Sequence, residues 1–236
     1  MVSSAKNFKI RGSSGKLNIA LDGLPTFNGL DKNSRLMIGD MHFHDSLARL
    51  ERAYDDWKAG TWSADPYLDM LIPSLFDPTM APQGKTSITV LYPSDLAWWE
   101  NLGYASEEYE AEKAKILDTT IAQLEQVLPG ISSQIEASDV ATPFTTLRYT
   151  NNWKAAPGFV MTKTLAAEIT IKPQYALPGL DNFYMTGQWV KGFGVVMAAV
   201  SGREVIQKIF FCLETMGVRT NPGIIVVILT FDLFSF

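Results

Sequence analysis

The chain has 236 residues, 47% hydrophobic and 19% charged, with a formal net charge of −5 and a single cysteine. That balance suits a globular protein of one large or two small domains, and it excludes the clustered Lys and Arg that counterion release on nucleic acid requires. The lone Cys212 excludes an internal disulfide framework and fits a reducing, cytoplasmic setting, and residues 1–9 lack the apolar core of a secretory signal.

Leu17, Ile19 and Leu21 alternate with Asn18, Ala20 and Asp22, so residues 16–22 are expected to form a half-buried strand. A turn at residues 12–15 would pair it with a neighbour carrying Phe8 and Ile10, and a second turn follows at residues 23–29. Residues 41–44 are expected as a short strand, after which Asp45 or Ser46 caps a helix that buries Leu47, Leu50, Tyr54 and Trp57 and closes at Gly60. Residues 67–76 and 85–92 read as two strands joined by a Pro- and Gly-rich turn. Pro73 cannot donate to a ladder, so the first of them is expected at a sheet edge or with a bulge.

Ser106 should cap a long helix with Glu107 and Glu108 near its positive end, a stripe of Leu117, Ile121, Leu124 and Leu128, and a stop at Pro129-Gly130. Residues 134–140 read as a return strand. From Thr142 the texture turns to hydroxyls, amides and aromatics, so a boundary is expected there. The last helix, about 194–211, lines up Ala198, Gly202, Val205 and Ile209. The apolar run at 224–236 is shorter than the ~20 residues of a membrane-spanning helix and contains Asp232. It reads as a buried or edge strand, with a peripheral membrane contact left open.

Residues 177–203 carry the most chemistry. They read as a buried strand, a glycine turn and a helix start, the local geometry in which helix N-terminal amides meet a phosphate or a flavin edge. Gly192 and Gly194 followed by Met197 nearly match the dinucleotide fingerprint, whose sixth position is glycine, and a plain strand-turn-helix connection has the same spacing. No upstream segment supplies the first fingerprint of such a fold. His42 and His44, with Asp40 and Asp45 nearby, do not complete a zinc set, so no metal is expected. Asp55 and Asp56 face different directions on a helix, and Cys212 ends an apolar helix where an inert thiol is the default. No nucleophilic apparatus is visible and the catalytic residues are unknown. Trp98, Trp99, Tyr149 and Trp153 are candidates for an apolar tunnel, or simply for core.

Residues 72–85, 141–154 and 187–203, three motifs in order, resemble the C-terminal half of phytoene desaturase and carotenoid isomerase flavoproteins of the FAD-dependent amine oxidase superfamily; the resemblance runs over about residues 4–209. It implies an α/β (mixed α+β) fold. Residues 1–141 would be a mixed-sheet substrate domain, 142–212 the strand-turn-helix that completes a Rossmann-like FAD/NAD(P)-binding domain, and 213–236 an apolar tail without a counterpart. The cofactor implied is FAD. Gly187, Gly194, Val195 and Val196 would run beside it, with Gln188, Trp189 and Gly192 among the cofactor-binding positions, while Tyr149 and Trp153 would meet an apolar, polyene-like substrate. The resemblance further implies a C-terminal fragment or split subunit that needs a separate N-terminal FAD-binding chain. A non-catalytic apolar-ligand-binding or assembly module of the same ancestry is the competing expectation.

Overall fold

The computed structural model describes residues 13–31, 34–155, 175–176, 179–180, 183–187, 190, 194–215 and 225–228. The chain divides into two units, Gly12–Asn151 and the combination of Met1–Arg11 with Asn152–Phe236.

In the first unit, alternation of apolar and polar residues builds five strands, β1 (Ser13–Leu21), β2 (Met41–Phe43), β3 (Leu68–Leu71), β4 (Thr86–Ser94) and β5 (Ile135–Ala141), in the order β2-β3-β4-β1-β5. Every pairing is antiparallel, so the expected mixed sheet is corrected to an antiparallel one within a mixed α/β fold. The residues of β1 and β4 at period two, Leu17, Ile19, Leu21, Ile88, Val90 and Tyr92, face a single core.

The helices of this unit that run beyond a single turn are α1 (Leu47–Lys58), α2 (Leu96–Leu102), α3 (Glu107–Val127) and α4 (Pro143–Thr150). Each starts on a side-chain cap, from Ser46, Asp95, Ser106 and Thr142 in turn. Such a cap stabilises by about 1 kcal/mol because it satisfies an amide the helix leaves unpaired. Gly60 and Gly130, at φ +83° and +82°, end α1 and follow α3. Thr142 stands in a reciprocal capping box with Thr145, and its hydroxyl lies 2.7 Å from that of buried Tyr109. The core beneath the sheet is completed by Trp99, Tyr109, Ile116, Leu124, Leu128 and Ile131.

Several local expectations change. Ser13, Ser14 and Gly15 are not a hairpin turn but the start of β1, paired with Ser94, Pro93 and Tyr92; Phe8, Ile10 and Gly12 lie outside the described residues. Gly15 serves this pairing, since a Cβ there would overlap the ring and hydroxyl of Tyr92. β3 is an interior strand and stops at Leu71; Pro73 then takes the first position of a one-turn helix, Pro73–Phe76, where its missing N–H costs nothing.

On α3 the buried line is Tyr109, Ile116, Thr120 and Leu124, with Leu117 and Ile121 half-buried. On α1 only Ala53 is buried, while Leu47 is 73% exposed and Tyr54 50%. Polar ties set that rotation: Arg49 Nε donates to Asp65 Oδ1 at 2.8 Å, and the Ser63 hydroxyl donates to Asp56 Oδ2 at 2.6 Å. Both hold the Ala53 side inward. None of the described helices is long and apolar enough to cross a membrane.

Candidate functional site

The second unit contains β6 (Phe183–Thr186), α5 (Val195–Thr215) and β7 (Ile225–Ile228). β6 and β7 pair in parallel, Phe183 opposite Ile225 through Thr186 opposite Ile228, so α5 lies in the connection between two parallel strands, as such pairing requires. The run expected as a strand beyond residue 223 therefore supplies β7. Val205 and Ile209 pack with Tyr175, Tyr184 and Val190, which explains why α5 forms on the predicted side. Burial, and then Glu204, whose carboxylate its hydroxyl contacts, push the Tyr175 phenol up.

The bend between β6 and α5 begins at Gly187, where φ is +105°, a conformation natural only to glycine. The Gly187 N–H donates to the Ser201 hydroxyl oxygen at 2.7 Å, and that hydroxyl donates to the Ala198 carbonyl at 2.6 Å. Ser201 is fully buried, so this contact ties the bend to the second turn of α5. Its cue in the sequence was slight: a lone serine on an otherwise apolar helix face.

Gly194, at φ +100°, leads into α5, and Ala198 N–H donates to its carbonyl at 3.0 Å as an early bond of the helix. A Cβ added at Gly194 would meet nothing within 4 Å, and Val195 and Val196 are 60% and 73% exposed. The first turn of α5 thus presents amides and apolar side chains on an open face. Positive dipole there suits an anionic or electron-rich edge, and the valines suit a planar apolar one. Gly194, Val195 and Val196, expected beside a flavin, lie on this turn. The Gly187 amide is already committed to Ser201. Gln188, Trp189 and Gly192 lie outside the described residues.

Of the tunnel candidates, Trp99 is core: it is fully buried, donates its indole N–H to Ser94 Oγ at 2.7 Å and meets Tyr109 edge-on at a 5.1 Å ring separation. Trp98 packs half-buried against the same core. Tyr149, late in α4, is 78% exposed, and Trp153 opens a 3-10 turn, Trp153–Ala155, in the other unit. A shallow cleft lined by Ala53, Trp57, Ser63, Pro66 and Pro93 is too small to admit a ligand.

A second group gathers at the β2 edge of the antiparallel sheet. His42 sits opposite Asp69 in the β2–β3 register, with Asp40 two residues before it. His42 Nε2 lies 3.6 Å from Asp40 Oδ2, and Nδ1 lies 4.0 Å from Asp69 Oδ1. The Tyr67 hydroxyl contacts Nδ1, and its ring stacks on the imidazole at 5.7 Å. Burial, then the hydrogen bond and charge of Asp40, push the Asp69 carboxyl up to about 6, against the opposing pull of His42. His44, paired with His42 in the sequence, instead tilts against the Tyr67 ring. Asp69 and Tyr67 were missed because only strand register brings them to His42, although Asp69 between apolar Leu68 and Met70 was a cue.

No family model matches the chain. Among curated proteins it is 31% identical to prolycopene isomerase of Arabidopsis thaliana over 63% of its own length and 24% of the isomerase. It is 32% identical to the neurosporene-forming phytoene desaturase of Rhodobacter capsulatus over 67% of its length and 30% of that enzyme. It is 24% identical to the 4,4'-diapophytoene desaturase of Staphylococcus aureus strain Newman over 78% of its length and 36% of that protein. The chain therefore spans about a quarter to a third of the length of the curated relatives it matches. By sequence it is a relative of the carotenoid desaturases and isomerases.

Proposed function

We propose that the chain works as the C-terminal part of an FAD-dependent oxidoreductase that desaturates, isomerises or saturates bonds of an apolar, carotenoid-like polyene. The observation that carries this reading is the similarity to carotenoid desaturases and isomerases over 63–78% of the chain. The open N-terminal turn of α5 supports it from the side of chemistry. Gly194, Val195 and Val196 would hold the cofactor, with Gln188, Trp189 and Gly192 beside them and Gly187 shaping the bend. FAD, when bound, supplies the acceptor for the electrons or hydride that leave the substrate. The chain's own part is to orient and to shield. α5 amides favour an electron-rich edge, the exposed valines exclude water, and Tyr149 and Trp153 would contact the polyene.

The proposed flavoprotein includes an N-terminal FAD-binding part in addition to the residues of this chain. Titrating the purified chain with FAD, alone and mixed with the N-terminal half of a related desaturase, tests both parts. The chain alone is expected to bind weakly or not at all, and the mixture to become yellow with stoichiometric flavin. A colourless mixture overturns the flavoprotein reading, and tight binding by the chain alone overturns the need for a partner. One observation favours a second reading, a non-catalytic apolar-ligand-binding or assembly module: the Gly187 amide at the bend is spent internally on Ser201. A colourless chain that takes up a carotenoid without flavin would decide for it.

A further inference from the structure

We infer that Asp40, His42 and Asp69 form a binding site for a divalent transition-metal ion of the zinc type, pinning edge strand β2 to β3. The placement follows from strand geometry. Met70 and Leu68 point into the core, so Asp69 between them points to the other face, where its antiparallel partner His42 also projects. Asp40, two residues before His42 along the extended chain, falls on that same face.

One donor atom from each of the three residues lies within 4.8 Å of the others. Zinc bonds to imidazole nitrogen and carboxylate oxygen run about 2.0–2.2 Å, which sets neighbouring donors of a tetrahedron roughly 3.3–3.6 Å apart. The Asp40 to His42 Nε2 separation of 3.6 Å is already at that spacing. Asp69 Oδ1 lies 4.0 Å from the other ring nitrogen, Nδ1, so its carboxylate, 26% exposed, turns toward Asp40, which is within hydrogen-bonding reach, to close the set on Nε2.

The chemistry of the group selects the ion. Two carboxylates within hydrogen-bonding reach repel one another, and a cation between them removes that repulsion. The imidazole favours a borderline ion over Mg²⁺ or Ca²⁺, which prefer all-oxygen sets. Tyr67 supplies the supporting partner that metal-bound histidines ordinarily have: with Nδ1–H donating to the phenol oxygen, the Nε2 lone pair faces Asp40. His42 and Asp40 are 43% and 52% exposed in their side chains, so the remaining coordination positions open to water. His44, two residues on in the sequence, takes no part.

The test is a calorimetric titration of the chelator-treated full chain with ZnCl₂, with MgCl₂ as the control ion. One saturable Zn²⁺ site is expected, undiminished by excess Mg²⁺. His42→Gln and Asp69→Asn should each weaken it by at least about tenfold, and His44→Gln should leave it unchanged. The chain has only two histidines, so imidazole NMR signals of the unaltered protein provide a readout that needs no variant. Zn²⁺ should shift the His42 resonances and leave those of His44 nearly in place. Absence of saturable binding, binding equally strong in His42→Gln and Asp69→Asn, or a shift confined to His44 would overturn the assignment.

Discussion

Ser201→Ala isolates the contact that holds the bend before α5. In the native protein the buried Ser201 oxygen accepts the Gly187 N–H at 2.7 Å, and the substitution leaves that amide without this partner. An orphaned buried donor costs about 1–3 kcal/mol. Alanine's better helix propensity returns up to about 0.5 kcal/mol, since Ser201 lies within α5. The bond to the Ala198 carbonyl adds little to the loss, because that carbonyl stands inside the helical ladder. The net is a local destabilisation of roughly 1–2 kcal/mol, a factor of about 5–30 in the opening equilibrium. Amide hydrogen exchange at Gly187 reads this directly. Exchange in Ser201→Ala should quicken by that factor, while amides of the first unit keep their rates. Ser201→Thr, which retains the oxygen, should restore much of the protection. Unchanged exchange at Gly187 in Ser201→Ala would refute the reasoning, since the amide would then have another partner or none to lose.

Gly15→Ala should destabilise the first unit by about 1–3 kcal/mol in urea unfolding, because the new methyl group overlaps the buried Tyr92 ring; combined with Tyr92→Leu the penalty should shrink. Ser94→Ala removes the acceptor of the Trp99 indole N–H in a fully buried place and should cost about 1–3 kcal/mol in the same assay. The Glu125 carboxylate accepts from the Ser132 hydroxyl and from the Ser132 and Gly130 amides, and these bonds hold its pKa below the ordinary glutamate value. Its contribution is therefore complete above that ordinary value and disappears as pH falls through the lowered one. Urea midpoints of Glu125→Gln should lie below those of the native protein near about pH 7 and converge with them as the pH falls through the lowered glutamate pKa. A gap that persists in acid would contradict this.

The sequence alone determined most elements and one kinship. Alternation at Leu17, Ile19 and Leu21, caps at Ser46 and Ser106, and stops at Gly60 and Pro129-Gly130 are local signals, because strand pleat, capping bonds and positive φ depend on neighbours a few residues away. The three motifs in residues 72–203 likewise sufficed for the likeness to carotenoid desaturases and isomerases. Tertiary structure decided what those elements face. The periodicity of α1 pointed Leu47, Leu50 and Tyr54 inward, but Arg49–Asp65 and Ser63–Asp56 turned Ala53 to the core instead. Gly15 read as a turn because the ring it accommodates, Tyr92, lies 77 positions away in β4 (92 − 15). The Ser201 tie to Gly187 and the Asp40, His42 and Asp69 group depend on packing and register between segments distant in the chain. Such pairings are chosen by burial of the whole sheet or helix face, which no short window of residues contains.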